Sequence, residues 1–211
     1  MTELDDKSQD VPPPPDVPLS RWPTEGRSEA ANYGIFQIEQ VERRSPLTGR
    51  LGTYSVLHTP QWANVIALTE RREVVLVEQY RHGIDALTLE IPGGMVEAGE
   101  AAAEGAEREL REETGFTGDP AIHLGTVHPN PAIQSNECST WLVPNARRTH
   151  DLEPDDGEHL AVHLIPLADI PTLLADGRIT HSLVVAAFHW LSLRNLDRGA
   201  PPSPPGCAAR E

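Results

Sequence analysis

The 24 residues Gly93–Phe116, GGMVEAGEAAAEGAERELREETGF, place seven glutamates among helix-forming Ala, Leu and Arg. From Ala101 to Thr114 the composition favours a helix, and Gly115 follows as a natural stop. On such a helix Glu109 lies three residues before Glu112 and four before Glu113. The three carboxylates therefore share one arc of about 100°. Like charges at this spacing weaken an isolated helix by tenths of a kcal/mol per pair, so something must offset them. A hard divalent cation is the natural candidate, because Mg²⁺ favours carboxylate oxygens and retained waters. Ala103, Ala106 and Leu110 occupy an adjoining arc suited to a core, which puts the acidic arc at a cleft edge. From charge alone, a solvated, salt-bridged helical face is the simpler reading.

The rest of the chain bounds what this helix belongs to. Of 20 prolines in 211 residues, six lie in residues 1–30 and four in residues 200–211, and both segments lack hydrophobic periodicity. They read as disordered Pro-rich tails, leaving about residues 31–199 for the fold. Within it GTYSVLH (52–58), ANVIALT (63–69), EVVLVEQYR (73–81), LTLEI (87–91), AIHLGTV (121–127), STWLV (139–143) and HLAVHLI (159–165) read as strands. ADIPTLLADG, closed by Gly177, and THSLVVAAFHWLSL read as helices, the latter with Leu183, Ala187, Trp190 and Leu191 on one core stripe. Such a mixture predicts an α+β fold.

Lys plus Arg is 17 and Asp plus Glu is 32, a formal charge of −15. A chain this acidic is repelled by phosphate polymers and anionic lipid, and no basic patch compensates, so nucleic-acid polymer and membrane-surface partners are not expected. No run of about 18 apolar residues exists for a membrane span. The acidic start MTELDDKSQD carries no apolar signal segment, and two cysteines, Cys138 and Cys207, are too few for a disulfide framework. A reducing, cytoplasmic setting is expected.

The spacing of the acidic segment is more specific than its charge. Gly94, five residues, Glu100, seven residues, then Arg108-Glu109-Leu110-Arg111-Glu112-Glu113-Thr114-Gly115-Phe116 resembles the Nudix hydrolase signature at every specified position. Seven fixed residue types and two apolar positions match by chance in fewer than about one chain in a million. The motif covers 23 residues, and weaker similarity extends over about residues 34–194. The resemblance implies an α/β/α sandwich around a mixed sheet (residues 61–199) and, in residues 31–60, a small β-rich extension through which relatives form homodimers.

It also implies roles for particular residues. Glu109 and Glu113 resemble the principal Mg²⁺ ligands, with Mn²⁺ a possible substitute and the Gly93 carbonyl completing the set. Glu112 resembles a ligand to a second ion or its water. Arg108 and Glu100 resemble the pair that orients these carboxylates; an ordinary helix-to-loop ion pair is the alternative for Glu100. Glu97, Glu104 and Glu107 occupy variable positions and read as solvated. The general base is expected from the acidic loop before the last strand, at Glu158 or else Asp156, or else that loop is merely solvated.

The segments around the motif narrow the branch. EVVLVEQYRHG followed by TLEIPGG is similar to ADP-ribose and nucleotide-sugar pyrophosphatases, in which the arginine at Arg81 reaches the diphosphate; His82 beside it is a weaker candidate. Pro131 in HPNPAIQSNE is typical of the ADP-ribose branch, while the fuller NPAIQSN string is closer to relatives acting on nucleoside diphosphate sugars. Gln134 and Asn136 either bond sugar or base, or form a polar turn. Trp62 either stacks on the nucleobase or packs at the start of a strand. The implied activity is Mg²⁺-dependent cleavage of nucleoside diphosphate sugars, ADP-ribose included, to nucleoside monophosphate and sugar phosphate. A strict ADP-ribose hydrolase and a non-catalytic nucleotide sensor are the alternatives; sensors tend to lose the motif glutamates, and all three are present here.

Overall fold

A computed structural model of the chain describes residues 19–153 and 159–194. Four strands near the amino terminus form an antiparallel sheet of their own: β1 (Thr24–Arg27), β2 (Ala31–Asn32), β3 (Gln37–Arg44) and β4 (Leu51–His58). β4 pairs with the full length of β3, and β1 and β2 share the other edge of β3. Strand β1 lies within residues 1–30, the stretch whose prolines read as a tail. It forms because the last proline there, Pro23, precedes it, and because β3 anchors it. Arg43 Nη1 donates to Thr24 Oγ1 at 3.0 Å, and Arg44 Nη2 to Glu25 Oε2 at 2.6 Å.

The remaining elements are β5 (Trp62–Ala67), β6 (Glu73–Arg81), β7 (Ala86–Glu90), β8 (Gly93–Met95), α1 (Ala102–Thr114), β9 (Phe116–Thr117), β10 (Ile122–Val127), β11 (Cys138–Val143), β12 (Arg147–Arg148) and β13 (Leu160–Pro166). A 3₁₀ turn then leads into α2 (Ile170–Ala175), and α3 (Ser182–Leu193) follows. One mixed sheet has the order β10-β11-β5-β8, with β11 and β5 parallel and the other pairs antiparallel. A second, antiparallel sheet has the order β13-β6-β7.

β5 sits at the centre because, buried Asn64 apart, it is apolar on both faces, as a parallel-paired strand must be when both sides are covered. Successive side chains point to opposite faces. Ala63, Val65 and Ala67 pack with Ala106 and Leu110 of α1, while Ile66 packs with Val184, Phe188 and Leu191 of α3. Full burial of a side chain such as Leu110 is worth about 1.5–3 kcal/mol. The result is the expected α/β/α sandwich of an α+β fold. The stripe of α3 is Val184, Ala187, Phe188 and Leu191 rather than one containing Leu183 and Trp190. Trp190 packs at the margin of this core, over Gly125, where an added Cβ would come within 2.4 Å of the indole.

Candidate active site

Helix α1 is closed at both ends by its own sequence. The Glu104 carboxylate accepts from the Ala101 N–H at 3.1 Å, so Glu104 is a cap rather than an idle solvated group. At the other end Gly115 takes the left-handed conformation (φ 73°) and donates to Arg111 O at 2.8 Å. Glu107 reaches across to accept from the Ala121 N–H at 2.8 Å, which ties the helix to the start of β10. Burial of Ala106 and Leu110 fixes the rotation of α1 and turns Glu109 and Glu113 toward the Gly93-Gly94 backbone of β8.

The contact with that backbone is close. Glu113, only 3% exposed, accepts from the Gly93 N–H at 3.0 Å. A Cβ on Gly94 would lie 2.5 Å from Glu109 Oε1, and one on Gly93 would lie 2.5 Å from the Ala63 carbonyl oxygen. Glycine at both positions is therefore a matter of space. Glu113 lies deeper than a cleft-edge arc implies, because β8 folds back over the last turn of the helix.

Arg108 gathers the other carboxylates. Its Nε and Nη2 bind Glu100 at 2.9 and 3.2 Å, its Nη1 binds Glu109 at 3.0 Å and Glu112 at 2.9 Å, and Nη2 also reaches the Met95 carbonyl at 3.0 Å. Arg111 Nη2 binds the second oxygen of Glu112 at 3.0 Å. The hydrogen bond from Arg108 holds the Glu100 carboxyl below its ordinary value. The Glu100 contact, followed by those to Glu112 and Glu109, holds the guanidinium proton more firmly than usual.

The other residues singled out in the sequence fall in three places. Arg81, at the end of β6, forms a fork with Glu90: Nε to Oε1 at 2.8 Å and Nη2 to Oε2 at 2.7 Å. Burial pushes the Glu90 carboxyl up, but hydrogen bonds from Arg81 and Thr88, with the charges of Arg81 and His181, leave it below its ordinary value. His82 packs edge-on against Tyr80, with ring centroids 5.0 Å apart. Trp62 is half-buried at the start of β5, between Met95 of β8 and Cys138 of β11.

Gln134 and Pro131 line a cavity of about 640 Å³ with Trp22, Arg43, Tyr54 and Ser135. Trp22 and Tyr54 meet edge to face, with centroids 5.9 Å apart. Asn136 is buried, and neither its side-chain nitrogen nor its oxygen has a hydrogen-bond partner. Glu158 and Asp156 lie outside the described residues.

A family profile described as NUDIX domain matches residues 59–188, more than half of the chain. The chain belongs to the Nudix hydrolase family. Among Nudix relatives, it is 25% identical over 158 residues to the ADP-ribose pyrophosphatase of Bacillus subtilis (strain 168), covering 74% of this chain and 84% of that protein. It is 34% identical over 128 residues to the ADP-sugar pyrophosphatase of Mus musculus, covering 57% and 58%. A solved structure described as an ADP compounds hydrolase superposes with a TM-score of 0.75 at 22% identity, covering 84% of this chain and 95% of that one, a likeness of fold.

The Nudix helix here offers three carboxylates whose oxygens suit a hard divalent ion. Among the described residues no three acidic, His or Cys side chains already converge as a cation cage; the guanidinium of Arg108 supplies the positive charge between Glu109 and Glu112. The donor chemistry fits the ion, and the abutment of Glu109 and Glu113 on the Gly93-Gly94 backbone places a peptide segment beside them. Sequence reasoning missed the Trp22–Tyr54 pair. Trp22 sits in proline-rich composition, Tyr54 in an ordinary alternating strand, and nothing in their spacing links them.

Proposed function

We propose that this Nudix hydrolase splits the diphosphate bridge of nucleoside diphosphate sugars, ADP-ribose included, releasing nucleoside monophosphate and sugar phosphate with a divalent ion as cofactor. The observation that carries this reading is the joint restraint of the Nudix carboxylates: Glu109 and Glu112 by Arg108, and Glu113 by the Gly93 N–H. Relatives named as ADP-ribose and ADP-sugar pyrophosphatases support the substrate class.

Glu109, Glu113 and the Gly93 carbonyl would hold Mg²⁺, or Mn²⁺ in its place, with Glu112 serving a second ion or its water. Such an ion neutralises charge on phosphoryl oxygens and lowers the pKa of water. The chain's own residues do the remaining work. Arg108 keeps Glu109 and Glu112 from splaying. Glu158, or Asp156 in its stead, takes the proton from the attacking water. Arg81, held in place by its fork to Glu90, brings its guanidinium charge to the diphosphate.

Trp22 and Tyr54 provide the aromatic platform for the nucleobase, in place of the half-buried Trp62. Gln134, on the cavity wall, bonds the sugar. Asn136 would join it by turning its buried, orphaned amide outward, a move favoured by the cost of about 1–3 kcal/mol for an unpaired buried polar group. Homodimerisation through the amino-terminal sheet would cover Tyr33 and Ile35, which stand 59% and 66% exposed. The setting is read as cytoplasmic; no helix among the described residues is long and apolar enough to cross a membrane.

Strict ADP-ribose hydrolysis is the second reading, favoured by the name of the B. subtilis relative. A panel of ADP-ribose, ADP-glucose and GDP-mannose with Mg²⁺ separates the two. Cleavage of several conjugates is expected, and cleavage of ADP-ribose alone would select the strict version.

A further inference from the structure

The amino-terminal sheet is stitched to the loop that carries Gln134. The Leu57 N–H donates to Ile133 O at 2.7 Å, and the Ser135 N–H to Leu57 O at 3.1 Å, so the loop adds a short parallel segment beside the end of β4. Further along the same loop, the Glu137 N–H donates to Gln61 Oε1 at 2.6 Å and the Trp62 N–H to Glu137 O at 2.9 Å. The loop's own structure is slight. The Ile133 and Gln134 N–H groups share the Asn130 carbonyl, and Pro131 has no N–H to offer.

A line of side chains reinforces this seam. His58, the last residue of β4, has Nδ1 3.0 Å from Ser135 Oγ and Nε2 3.0 Å from Glu39 Oε2. Glu39, on β3, also receives Arg27 Nη1 from β1 at 2.5 Å. The chain Arg27–Glu39–His58–Ser135 thus crosses β1, β3 and β4 and ends on the loop. The hydrogen bond from His58 holds the Glu39 carboxyl below its ordinary value, against some desolvation and with the help of Arg27. Glu39 is therefore an ionised acceptor. In the neutral ring the proton must then lie on Nε2, which leaves Nδ1 as the acceptor and makes the Ser135 hydroxyl the donor.

The loop reaches both halves of the candidate site. Pro131, Gln134 and Ser135 line the 640 Å³ cavity opposite Trp22 and Tyr54. Cys138, just beyond, pairs with Trp62, and Trp62 with Met95, whose carbonyl binds Arg108. We propose that His58 and Glu39 are positioning residues: acting through Ser135, they hold the loop so that Gln134 faces the cavity, and so set substrate affinity without entering the chemical step. This rests on the placement of Gln134 in the substrate site given under the proposed function.

Two substitutions at one position separate the halves of the relay. His58→Asn puts an amide near the Nδ1 position, in reach of Ser135, and gives up Glu39. His58→Gln puts one near Nε2, in reach of Glu39, and gives up Ser135. Amide hydrogen exchange over residues 130–137 and steady-state kinetics on ADP-ribose with Mg²⁺ are measured for both, and for Ser135→Ala. Ser135→Ala and His58→Gln are expected to speed exchange at Ser135 and raise KM by about tenfold with kcat within about twofold, the loss of one hydrogen bond. His58→Asn, which keeps Ser135 but loses Glu39, should fall between these variants and the wild type in both, and wild-type values in it would remove Glu39 from the relay.

Unchanged exchange in His58→Gln overturns the relay whatever the activity. Faster exchange with KM unchanged overturns the positioning role: an unchanged kcat leaves only a structural one, and a falling kcat places the effect in the chemical step. If the wild-type protein cleaves no nucleotide conjugate, the proposed function fails and takes the positioning role with it, while exchange still decides whether His58 anchors the loop.

Discussion

Glu113 accepts a hydrogen bond from the Gly93 N–H at 3.0 Å, joining the last turn of α1 to the edge strand β8. The bond needs only an acceptor, whereas metal ligation needs a charge. Glu113→Gln keeps an amide oxygen for Gly93 and should alter unfolding free energy by less than about 1 kcal/mol. Glu113→Ala leaves the half-buried Gly93 N–H without this acceptor and should cost about 1–3 kcal/mol. Both should lower kcat by about two orders of magnitude or more, as removal of a metal ligand does. Urea unfolding set beside turnover separates the two effects; a Gln variant that turns over at the wild-type rate in saturating Mg²⁺ would remove Glu113 from the ligand set.

Gly94→Ala tests the closeness of β8 to the helix. The new Cβ would meet Glu109 Oε1 at 2.5 Å, and the movable partner is the flexible end of the carboxylate. The protein should fold, Glu109 should be pushed aside, and kcat should fall by about tenfold or more, since an ångström of misplacement costs on the order of a hundredfold. Calorimetric titration with Mg²⁺ should show weakened binding. Full activity and unaltered binding would mean that Glu109 has room to work elsewhere.

Arg108 stands between carboxylates that repel one another. Arg108→Met should destabilise the protein by about 1–3 kcal/mol in EDTA, because several partly buried charges lose their counter-ion. Mg²⁺ should restore more stability to the variant than it adds to the wild type, by binding the folded state. Denaturant unfolding with and without the ion measures both, and equal increments would show that Arg108 and the cation do not share these carboxylates.

Much of this was legible in the sequence, for identifiable reasons. β5 is apolar on both faces and β6 is a long β-branched run, so their strands stand out; α1 announces itself by composition and by Gly115. β3, QIEQVERR, does not stand out, because its sheet is largely open to solvent and charge pairs replace an apolar alternation. β8 is three residues with no pattern to read. The Nudix carboxylates were visible as spacing, but the depth of Glu113 depends on β8 folding over it. His58 and Ser135 are 77 residues apart, and only the tertiary fold brings them together.

The Arg81–Glu90 fork carries a pH prediction. In the wild type the Glu90 pKa lies below its ordinary 4.5, so its contribution to stability is complete above that value and is lost as pH falls through the lowered pKa. Arg81→Met leaves burial opposed only by Thr88 and His181, and the pKa should rise above 4.5. The sign then reverses: the contribution is complete below 4.5 and is lost as pH rises through the new value. Chemical denaturation between about pH 3 and 8 reads the slope of stability against pH; parallel profiles in the two proteins would refute the pairing.

Release of AMP from ADP-ribose by the purified protein, followed with Mg²⁺ and with EDTA, and repeated with Glu109→Gln, bears on the role of α1 most directly. Stoichiometric AMP and ribose phosphate should form with Mg²⁺, cease in EDTA, and fall by about two orders of magnitude or more in the variant. Intact ADP-ribose in every arm, or equal release in EDTA, would contradict it.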